Sequence, residues 1–342
     1  MSNIEQVRKQ LMEFGSRYQS GCIIGAAAEL NLFEPILHAS LTAKEIVTTL
    51  KTDLRASTML LDALAALEIL DKSADSPESR YTVRKGCQQL LDDNHPETYL
   101  PMIRHQMNCV RRWTQLARIG KFGTLPPEQE SLRGAAEDFK AFILAMNSVG
   151  IIWAGPMVQK MQDAGLLHFK HLLDVGGASG TYTLAFLRAN PEAKATLFDV
   201  PPAIEEAGKR FHGTEFENRV SLVPGNFYDD PLPSGADFAW ISAIIHQFDR
   251  SRAVELYRKV EKALVPGGIV AVRDHVLNVD RTSPLEGVLF SINMLAGTEH
   301  GMCYTFEEIK EDLETAGFHR VRLAIPAKDM SAVVVAEKTD IP

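Results

Sequence analysis

Residues 171–180, His-Leu-Leu-Asp-Val-Gly-Gly-Ala-Ser-Gly, constrain the fold more than any other stretch of the chain. A short apolar run leads there into a glycine-rich turn, and a helix-like pattern follows at residues 182–187. Glycines let the main chain adopt positive φ and approach a ligand closely, and a helix that begins after such a turn points N–H groups at that ligand. The pattern predicts a nucleotide-type pocket at the carboxyl end of a first strand.

The glycine spacing distinguishes this turn from two commoner ligand-binding turns. Gly176, Gly177 and Gly180 give G-G-x-x-G, whereas a dinucleotide fingerprint needs G-x-G-x-x-G and a phosphate loop needs Gly-Lys-Ser/Thr. Asp174, just before the turn, disfavours a phosphate and suits a ligand with positive charge or hydroxyl groups, such as S-adenosylmethionine. A tight strand–helix turn without any ligand is the alternative interpretation.

A second apolar run, residues 194–200 (KATLFDV), carries Asp199 near its end. In a doubly wound sheet, a carboxylate about 20 residues beyond the glycine turn hydrogen-bonds the ribose of a bound nucleotide. We therefore predict that Asp199 is a ribose ligand. A solvated carboxylate at a strand end is the alternative.

Composition limits the classes of protein that this chain can belong to. With 342 residues and 45% hydrophobic residues, it is long enough for two domains with a sizeable core. Its net charge of −8 argues against a broad nucleic-acid surface. The four cysteines form no C-x-x-C pair and no zinc spacing. These features, with an N-terminus that lacks a signal-peptide pattern, predict a reduced, cytoplasmic protein without a metal site.

Residues 141–158 (AFILAMNSVGIIWAGPMV) resemble a membrane span because they carry no charge. A length of 18 residues is at the lower limit for crossing a bilayer. Polar, glycine and proline residues also lower the hydrophobicity of this segment. We therefore predict a pair of helices buried between domains, and no membrane partner.

Residues 1–95 are predicted to form a mostly helical domain. Thr42 and Glu45 have the spacing of a capping box before a helix over residues 43–50. A second helix over residues 57–70 and a strand at residues 80–83 complete a winged-helix pattern. Because the second helix is apolar where a DNA-reading helix carries polar side chains, we predict that it contacts a second copy of the chain and not nucleic acid. Residues 21–30 are small and apolar, as in close helix contacts.

Residues 96–168 are predicted to form a helical connector rich in Met and aromatic side chains. Met146, Asn147 and Trp153 belong to this set. Such side chains commonly form plain core, and beside a cofactor domain they can also line an adaptable apolar pocket. The sequence leaves both interpretations open.

Residues 169–342 alternate strand and helix patterns, which is typical of an open, mostly parallel α/β sheet. The fold class that we predict is therefore α/β, with a Rossmann-like sheet after an N-terminal helical domain. The predicted strands cover residues 172–175, 195–200, 220–223, 237–242, 269–273, 321–324 and 332–336. The predicted helices cover residues 203–210, 251–264 and 305–316.

Six motifs, in the order in which they occur along the chain, resemble those of the plant-type small-molecule O-methyltransferases. This family includes caffeate, hydroxyindole and bacterial polyketide enzymes. The motifs are LLDVGGASG (172–180), FDVP (198–201), GNF (225–227), IHQFD (245–249), LVPGG (264–268) and NMLAGTEHGMCYT (293–305). The resemblance implies a SAM-dependent methyltransferase sheet, S-adenosylhomocysteine as a product, and a homodimer joined through a winged-helix domain.

The resemblance also assigns site residues. The catalytic histidine falls on His246, and the first of two flanking acids falls on Asp274. The cofactor-binding residues that it implies are Asp174, Gly176, Gly177, Gly180, Asp199, Asn226, Phe227 and Ser242. The candidate substrate-pocket residues are Met146, Asn147 and Trp153 of the connector, together with Met294, Thr298 and Cys303 of the last motif.

Several positions depart from the family pattern. Cys303 stands where plant members carry the second acid, and Asn226 replaces the acid that binds adenine. Ser242 replaces a lysine that is frequent in the fourth strand, and Gln247 replaces an aspartate after the histidine. These changes leave the cofactor fold in place and bear on the substrate and on the strength of the base.

The sequence predicts a SAM-dependent O-methyltransferase that acts on a hydroxyl of a small, flat, mostly apolar acceptor. Two alternatives remain at this point. One is a SAM-binding relative with chemistry other than methyl transfer, since fold does not fix chemistry. The other is a winged-helix regulator that senses SAM.

Overall fold

Two units make up the chain in the computed structural model: residues 1–112 with 128–148, and residues 113–127 with 149–342. The structure describes residues 3–73 and 78–339, without the side chains of residues 147 and 149. The predicted connector, residues 96–168, is shared between the two units. The predicted domain boundaries at residues 95 and 168 stay predictions.

The first unit is mostly helical and contains a small antiparallel sheet. Its strands are β1 (Leu41–Thr42), β2 (Leu70–Lys72) and β3 (Arg80–Val83), and β3 lies between the other two. Its first four helices are α1 (Asn3–Ser16), α2 (Tyr18–Glu29), α3 (Ala43–Leu50) and α4 (Leu54–Ala66). Helix α5 (Leu100–Trp113) follows after two short 3₁₀ turns.

The N-terminal caps explain where α3 and α4 begin. The predicted capping box is present, because Thr42 N–H donates to Glu45 Oε2 at 2.7 Å and the Thr42 hydroxyl accepts from Glu45 N–H. Asp53 caps α4 by accepting from Ala56 N–H at 2.8 Å. The prediction of a helix over residues 57–70 was therefore wrong at both ends, since this cap starts the helix at Leu54 and the chain turns at Glu68 with φ +61°.

The core of the first unit contains side chains that the sequence had suggested for a dimer contact. Leu61 and Leu64 of α4 are fully buried within this unit, as are Ala27 and Ala28 of α2. The faces that carry these residues are therefore satisfied inside one copy of the chain. In contrast, α1 has no buried residue.

Helix α7 (Ala135–Asp163) begins in the first unit and ends in the second. It is one continuous helix with Pro156 inside, so the prediction of a helix pair over residues 141–158 was wrong. Among the described residues, α7 is the one helix that is long and apolar enough to cross a membrane by length and composition, and 44% of its most apolar window is buried. A buried core helix of a soluble protein can have the same length and apolar composition.

The second unit is built on a seven-stranded mixed sheet. Its strands are β4 (His171–Val175), β5 (Lys194–Asp199), β6 (Val220–Pro224), β7 (Ala236–Ser242), β8 (Leu264–Asp274), β11 (Phe318–Ile325) and β12 (Ala332–Lys338). Their order in the sheet is β11-β12-β8-β7-β4-β5-β6. Strands β4 to β8 run parallel, and β12 is antiparallel to both of its neighbours. This arrangement confirms the predicted α/β class, and β8 begins earlier than predicted because Leu264 already pairs with Ala236.

Helices cover both faces of the sheet. They are α8 (Thr181–Ala189), α9 (Pro201–Phe211), α10 (Arg250–Ala263), α11 (Leu285–Gly297) and α12 (Phe306–Thr315), and α6 (Leu116–Phe122) lies earlier in the chain. One core contains Leu173 and Val175 of β4 with residues of α10 and α12. The other contains Leu172 with residues of α7, α8 and α9. Since β4, β5, β7 and β8 are parallel, their carboxyl ends meet at one edge of the sheet.

A two-stranded parallel ribbon stands beside this edge. It pairs β9 (Val276–Leu277) with β10 (Tyr304–Thr305). The ribbon brings the segment after α11 next to the end of β8.

Candidate active site

The glycine turn after β4 has the backbone conformation that the sequence predicts. Gly176 and Gly180 have φ +70° and +78°, and Ala178 between them has φ +48°. Gly176 N–H donates to the carbonyl of Phe198 on β5 at 2.8 Å, which fixes the turn to the sheet edge. Helix α8 begins directly after Gly180 without a side-chain cap, so its first N–H groups face the mouth of the turn.

The protein's own side chains crowd these glycines. A Cβ on Gly176 would lie 2.6 Å from Ile244 Cδ1, and one on Gly180 would lie 2.5 Å from Phe211 Cε2. A Cβ on Gly177 would lie 2.8 Å from Asp174 Cγ. The glycines are thus required for internal packing, a reason that the sequence pattern did not reveal, as well as for close approach of a ligand.

Asp199 and Asp174 support the turn from the ends of β5 and β4. Asp199 accepts hydrogen bonds from the N–H of Ala178 at 2.8 Å and of Val200 at 2.7 Å, and burial raises its pKa. Asp174 accepts from the Thr183 hydroxyl at 2.5 Å. Burial raises the pKa of Asp174 to about 7, the Asp199 carboxylate adds to the rise, and the Thr183 hydrogen bond opposes it.

Asn226 and Phe227 follow β6 on the far side of the turn. The Asn226 side chain is engaged locally, because it donates to Asp229 at 2.9 Å and accepts from Tyr228 N–H at 3.0 Å. Phe227 lies beside the glycine turn, with its ring 3.5 Å from the Cβ position of Gly176. The ring of Phe227 therefore forms an aromatic wall next to the turn.

His246 and Asp274 form the central pair of the site. His246 lies in a 3₁₀ turn (Ile245–Gln247) just after β7, and Asp274 is the last residue of β8. His246 Nδ1 is 2.9 Å from each carboxylate oxygen of Asp274, and the two residues are only 5% and 1% exposed. A carboxylate only accepts hydrogen bonds, so Nδ1 carries the proton and Nε2 presents a lone pair.

The surroundings of Asp274 keep it ionised. Burial alone raises the pKa of Asp274, but the positive charge of His246 in its protonated form, the His246 hydrogen bond and the N–H of His275 hold it below its ordinary value. The ring of Phe290 lies between the two imidazoles, with its centroid 4.8 Å from that of His246 and 4.9 Å from that of His275. Phe290 and His275 were missed by the sequence analysis, and only their places beside predicted residues could have suggested them.

The segment after α11 packs against the histidine turn. The hydroxyl of Thr298 accepts from Gly301 N–H at 2.8 Å, and a Cβ on Gly301 would lie 2.4 Å from the carbonyl oxygen of His246. Tyr304 is buried and its hydroxyl donates to the carbonyl of Phe248. This segment therefore holds the backbone of the histidine turn in place.

The predicted pocket residues are not all brought to this turn. Met294 and Cys303 are buried in the second unit, and burial raises the pKa of the Cys303 thiol to about 12. Trp153 of α7 is 41% exposed. Met146 belongs to the first unit, and the side chain of Asn147 lies outside the described residues.

Two further polar contacts lie in the second unit. Trp113 Nε1 donates to Asn293 Oδ1 of α11 at 2.8 Å, a contact between residues 180 positions apart that no local pattern could have predicted. Ser242 accepts from Arg273 Nη1 at 3.0 Å. Within residues 3–73 and 78–339, no group of three or more His, Cys, Asp or Glu side chains could hold a metal ion.

Comparison with known protein families identifies the family to which this chain belongs. Residues 127–319, more than half of the chain, match the model of an O-methyltransferase domain, and residues 16–93 match an O-methyltransferase dimerisation domain. The chain belongs to the O-methyltransferase family. The resemblance inferred from the motifs is thereby confirmed.

Curated relatives cover almost the whole chain. A tetracenomycin polyketide synthesis 8-O-methyl transferase of Streptomyces glaucescens is 30% identical over 92% of this chain and 93% of the relative. Acetylserotonin O-methyltransferase of Gallus gallus is 27% identical over 93% of this chain and 95% of the relative. This O-methyltransferase is thus similar to proteins of both the hydroxyindole and the polyketide type.

Solved structures confirm the fold. Human N-acetylserotonin methyltransferase in complex with SAM has a TM-score of 0.75 at 23% identity, covering 99% of this chain and 100% of that chain. An O-methyltransferase family protein from Burkholderia thailandensis has a TM-score of 0.79 at 22% identity, covering 99% of both chains.

Proposed function

We propose that this S-adenosylmethionine-dependent O-methyltransferase methylates a hydroxyl group of a small, flat, mostly apolar acceptor, with His246 as the general base. The observation that carries the proposal is the buried contact of His246 Nδ1 with both oxygens of Asp274. This contact leaves Nε2 as the basic atom at the carboxyl edge of the sheet.

The residues present fit S-adenosylmethionine. The turn over Gly176–Gly180 carries no side chain at its three glycines, so a ligand can approach its main chain closely, and the ring of Phe227 stands beside it. Both Asp199 oxygens have a further lone pair that can accept from ribose hydroxyls. When bound, S-adenosylmethionine supplies an electrophilic methyl group on a positively charged sulfur.

His246 removes the proton from the acceptor hydroxyl. The lone pair on Nε2 of the neutral imidazole can accept this proton. Asp274 fixes the imidazole ring and stabilises the imidazolium that forms, as the buried acid does in other His–Asp pairs. Since Cys303 replaces the second acid and its thiol is neutral, Asp274 alone provides this charge.

Alignment of the acceptor with the donor accounts for most of the rate enhancement that we propose. Orientation of two reactants contributes up to about 7–11 kcal/mol in favourable cases, and general base catalysis contributes about 10²–10⁴-fold. The ring of Phe290 beside His246 and the buried Met294 supply apolar surface on α11 that suits a flat acceptor.

Names of relatives point to the same acceptor class. Those proteins are named for acetylserotonin, for 3-hydroxy-5-methyl-1-naphthoate and for a tetracenomycin polyketide. Each name denotes a fused-ring compound or its biosynthesis. For this chain we therefore propose a phenolic hydroxyl on a fused-ring aromatic or polyketide acceptor.

Replacing the base tests the proposal. We expect His246→Ala to lower kcat by about 10²–10⁴-fold, while calorimetry shows unchanged affinity for S-adenosylhomocysteine. The matched control is His212→Ala, because His212 is exposed and should keep full activity. Wild-type turnover of a confirmed acceptor by His246→Ala from pH 6 to pH 9 would rule out His246 as the base.

We also propose that the protein is a cytoplasmic homodimer joined through a winged-helix domain. It has no nucleic-acid or membrane partner in this proposal. Its support is the matched dimerisation domain and helix α1, whose Ile4, Leu11 and Met12 are 72%, 63% and 70% exposed. Exposed apolar side chains on one helix favour a protein partner. Light scattering at micromolar concentration tests this point, and a monomer would contradict it.

A further inference from the structure

Arg273, one residue before the catalytic carboxylate, is a buried cation without an acidic partner within residues 3–73 and 78–339. It is 4% exposed, and the one hydrogen bond of its side chain among the described residues joins Nη1 to the Ser242 hydroxyl at 3.0 Å. Its Nε has no partner. A guanidinium stays charged at every pH at which proteins fold, and burying such a charge without an anion is costly.

The groups around Arg273 do not neutralise it. The guanidinium carbon lies 5.2 Å from the ring centre of Tyr182, whose buried hydroxyl also has no partner. Burial raises the pKa of Asp329, but hydrogen bonds from Ser331 and, to a smaller extent, the charges of Lys160 and Arg273 hold it below its ordinary value. No Asp329 oxygen lies within the 4.0 Å of an ion pair, however, so an anion is still missing beside the guanidinium.

Buried polar atoms without a hydrogen-bond partner among the described residues occur just before α8, in its first turn and in Arg273 beside that turn. Ser179 Oγ, in the glycine turn itself, is buried without a hydrogen bond, and so are Tyr182 Oη and Arg273 Nε. Buried polar groups are normally hydrogen-bonded, and each exception calls for an explanation such as a ligand. Of these three atoms, those of Arg273 and Tyr182 belong to side chains in contact, because the guanidinium lies over the Tyr182 ring.

The strand order indicates which part of the cofactor comes here. Asp199, the proposed ribose ligand, lies on β5, on one side of β4, whereas β7 and β8 lie on the other side. The nucleoside therefore occupies the β5 side of the glycine turn, and the amino-acid portion of S-adenosylmethionine extends towards β7 and β8. That portion ends in an α-carboxylate, which is the anion that Arg273 lacks.

We propose that Arg273 binds the α-carboxylate of S-adenosylmethionine, with Tyr182 as a second hydrogen-bond donor. Ser242 positions the guanidinium from the neighbouring strand, where the two residues are direct register partners. In this chain the cation for the cofactor thus comes from β8, and the end of β7 supplies a hydroxyl. The inference rests on S-adenosylmethionine as the methyl donor.

Two ligands that differ only in the carboxylate test the inference. They are S-adenosylhomocysteine and its decarboxylated form, S-adenosyl-3-thiopropylamine, each titrated into the full chain by calorimetry. We expect the wild-type protein to bind S-adenosylhomocysteine about 10- to 100-fold more tightly, as for a hydrogen-bonded charge pair. Equal affinities in the wild-type protein would overturn the proposal whatever the variants do.

Substitution of Arg273 then separates a ligand contact from a structural role. We expect Arg273→Met to lower affinity for S-adenosylhomocysteine to that of the decarboxylated ligand, whose own affinity stays within about 3-fold. Arg273→Lys keeps a charge and should retain part of the preference, which also guards against misfolding of the Met variant. The control is Arg322→Met, at an exposed position of β11, which should bind both ligands as the wild type does.

A structural role predicts a different pattern. If Arg273→Met weakened both ligands equally, or if it lowered only thermal stability, the proposal would be wrong. The outcome is independent of the general base, because His246→Ala is judged by kcat and not by a preference between the two ligands. Failure of one assignment therefore leaves the other standing.

Discussion

Two aspartates at the same edge of the sheet are equally buried and behave in opposite ways. Asp174 at the end of β4 and Asp274 at the end of β8 are each 1% exposed. Burial raises the pKa of Asp174 to about 7, the neighbouring acid Asp199 adds to the rise, and the hydrogen bond from the neutral Thr183 hydroxyl is too weak to offset them. For Asp274, the His246 charge and the His275 N–H outweigh burial and lower the pKa.

The contrast shows that burial alone does not decide the charge of a carboxyl group. A partner that can become positive keeps the β8 end of the site ionised, and a neutral partner leaves the β4 end close to its titration point near neutral pH. The cofactor end can therefore adjust its charge to a ligand, whereas the base end holds a fixed negative charge.

The largest effect that we expect comes from removing the charge of Asp174. A folded-state pKa above the unfolded value favours folding at low pH, and this contribution is lost as pH rises through the folded pKa near 7. A rise from 3.8 to about 7 corresponds to up to about 4 kcal/mol. The free energy of unfolding of Asp174→Asn, relative to that of the wild type, should therefore increase by up to about 4 kcal/mol as the pH rises from 4 to 8.

Denaturant titrations at several pH values measure this gain. Asp163→Asn, at an exposed site of α7, is the control and should run parallel to wild type. A parallel curve for Asp174→Asn would show that Asp174 is not held near its titration point, and the contrast between the two aspartates would disappear.

The other end of the comparison is tested by Asp274→Asn. Losing one hydrogen-bonded charge of this kind costs about 1.5–3 kcal/mol, so kcat should fall by about 10- to 150-fold, less than for His246→Ala. Steady-state assays of the two variants measure the order. An Asp274→Asn variant as active as wild type would mean that the base needs no charged support.

Packing of the glycine turn gives an effect of about the same size. Gly180 and Gly213 have similar φ, +78° and +70°, but an added Cβ meets Phe211 at 2.5 Å in the first case and open space in the second. Both Ala variants carry the strain of positive φ, and Gly180→Ala adds overpacking, so it should lose about 1–3 kcal/mol more. Equal losses on urea titration would show that the turn tolerates a side chain.

The smallest effect is expected at Cys303. Its thiol, with a pKa raised to about 12, is neutral at working pH and adds no charge to the His246–Asp274 pair. Cys303→Ala should therefore leave kcat within about 3-fold, well below the effect of a general base. A larger drop in the same assay would show that this position supports the chemistry despite the missing acid.

Local chemistry made much of the fold predictable from the sequence. The capping box at Thr42 and the order of strands and helices after residue 170 depend on neighbours along the chain, and both are present in the structure. The start of α4 differs from the prediction because the apolar pattern begins at residue 57, whereas the N-cap residue Asp53 starts the helix at Leu54.

The site was predictable only where a motif places a residue at a strand end. Asp274 and Asp199 are the last residues of β8 and β5, and His246 comes shortly after β7. The unpartnered atoms of Arg273 and Tyr182, the ring of Phe290 between two imidazoles, and the crowding of Gly180 by Phe211 depend on contacts between distant parts of the chain. No periodicity or spacing in the sequence encodes such contacts.

The position of β12 has a consequence for the order in which the molecule is completed on the ribosome. Strand β12 lies between β8 and β11, yet it is synthesised after both, and Ala332 is the register partner of Asp274. Until it emerges, β8 has an open edge with unpaired N–H and C=O groups, a feature that favours aggregation in a nascent chain. We expect a chain halted before Ala332 to need chaperone protection and to lack the strand that flanks its catalytic acid.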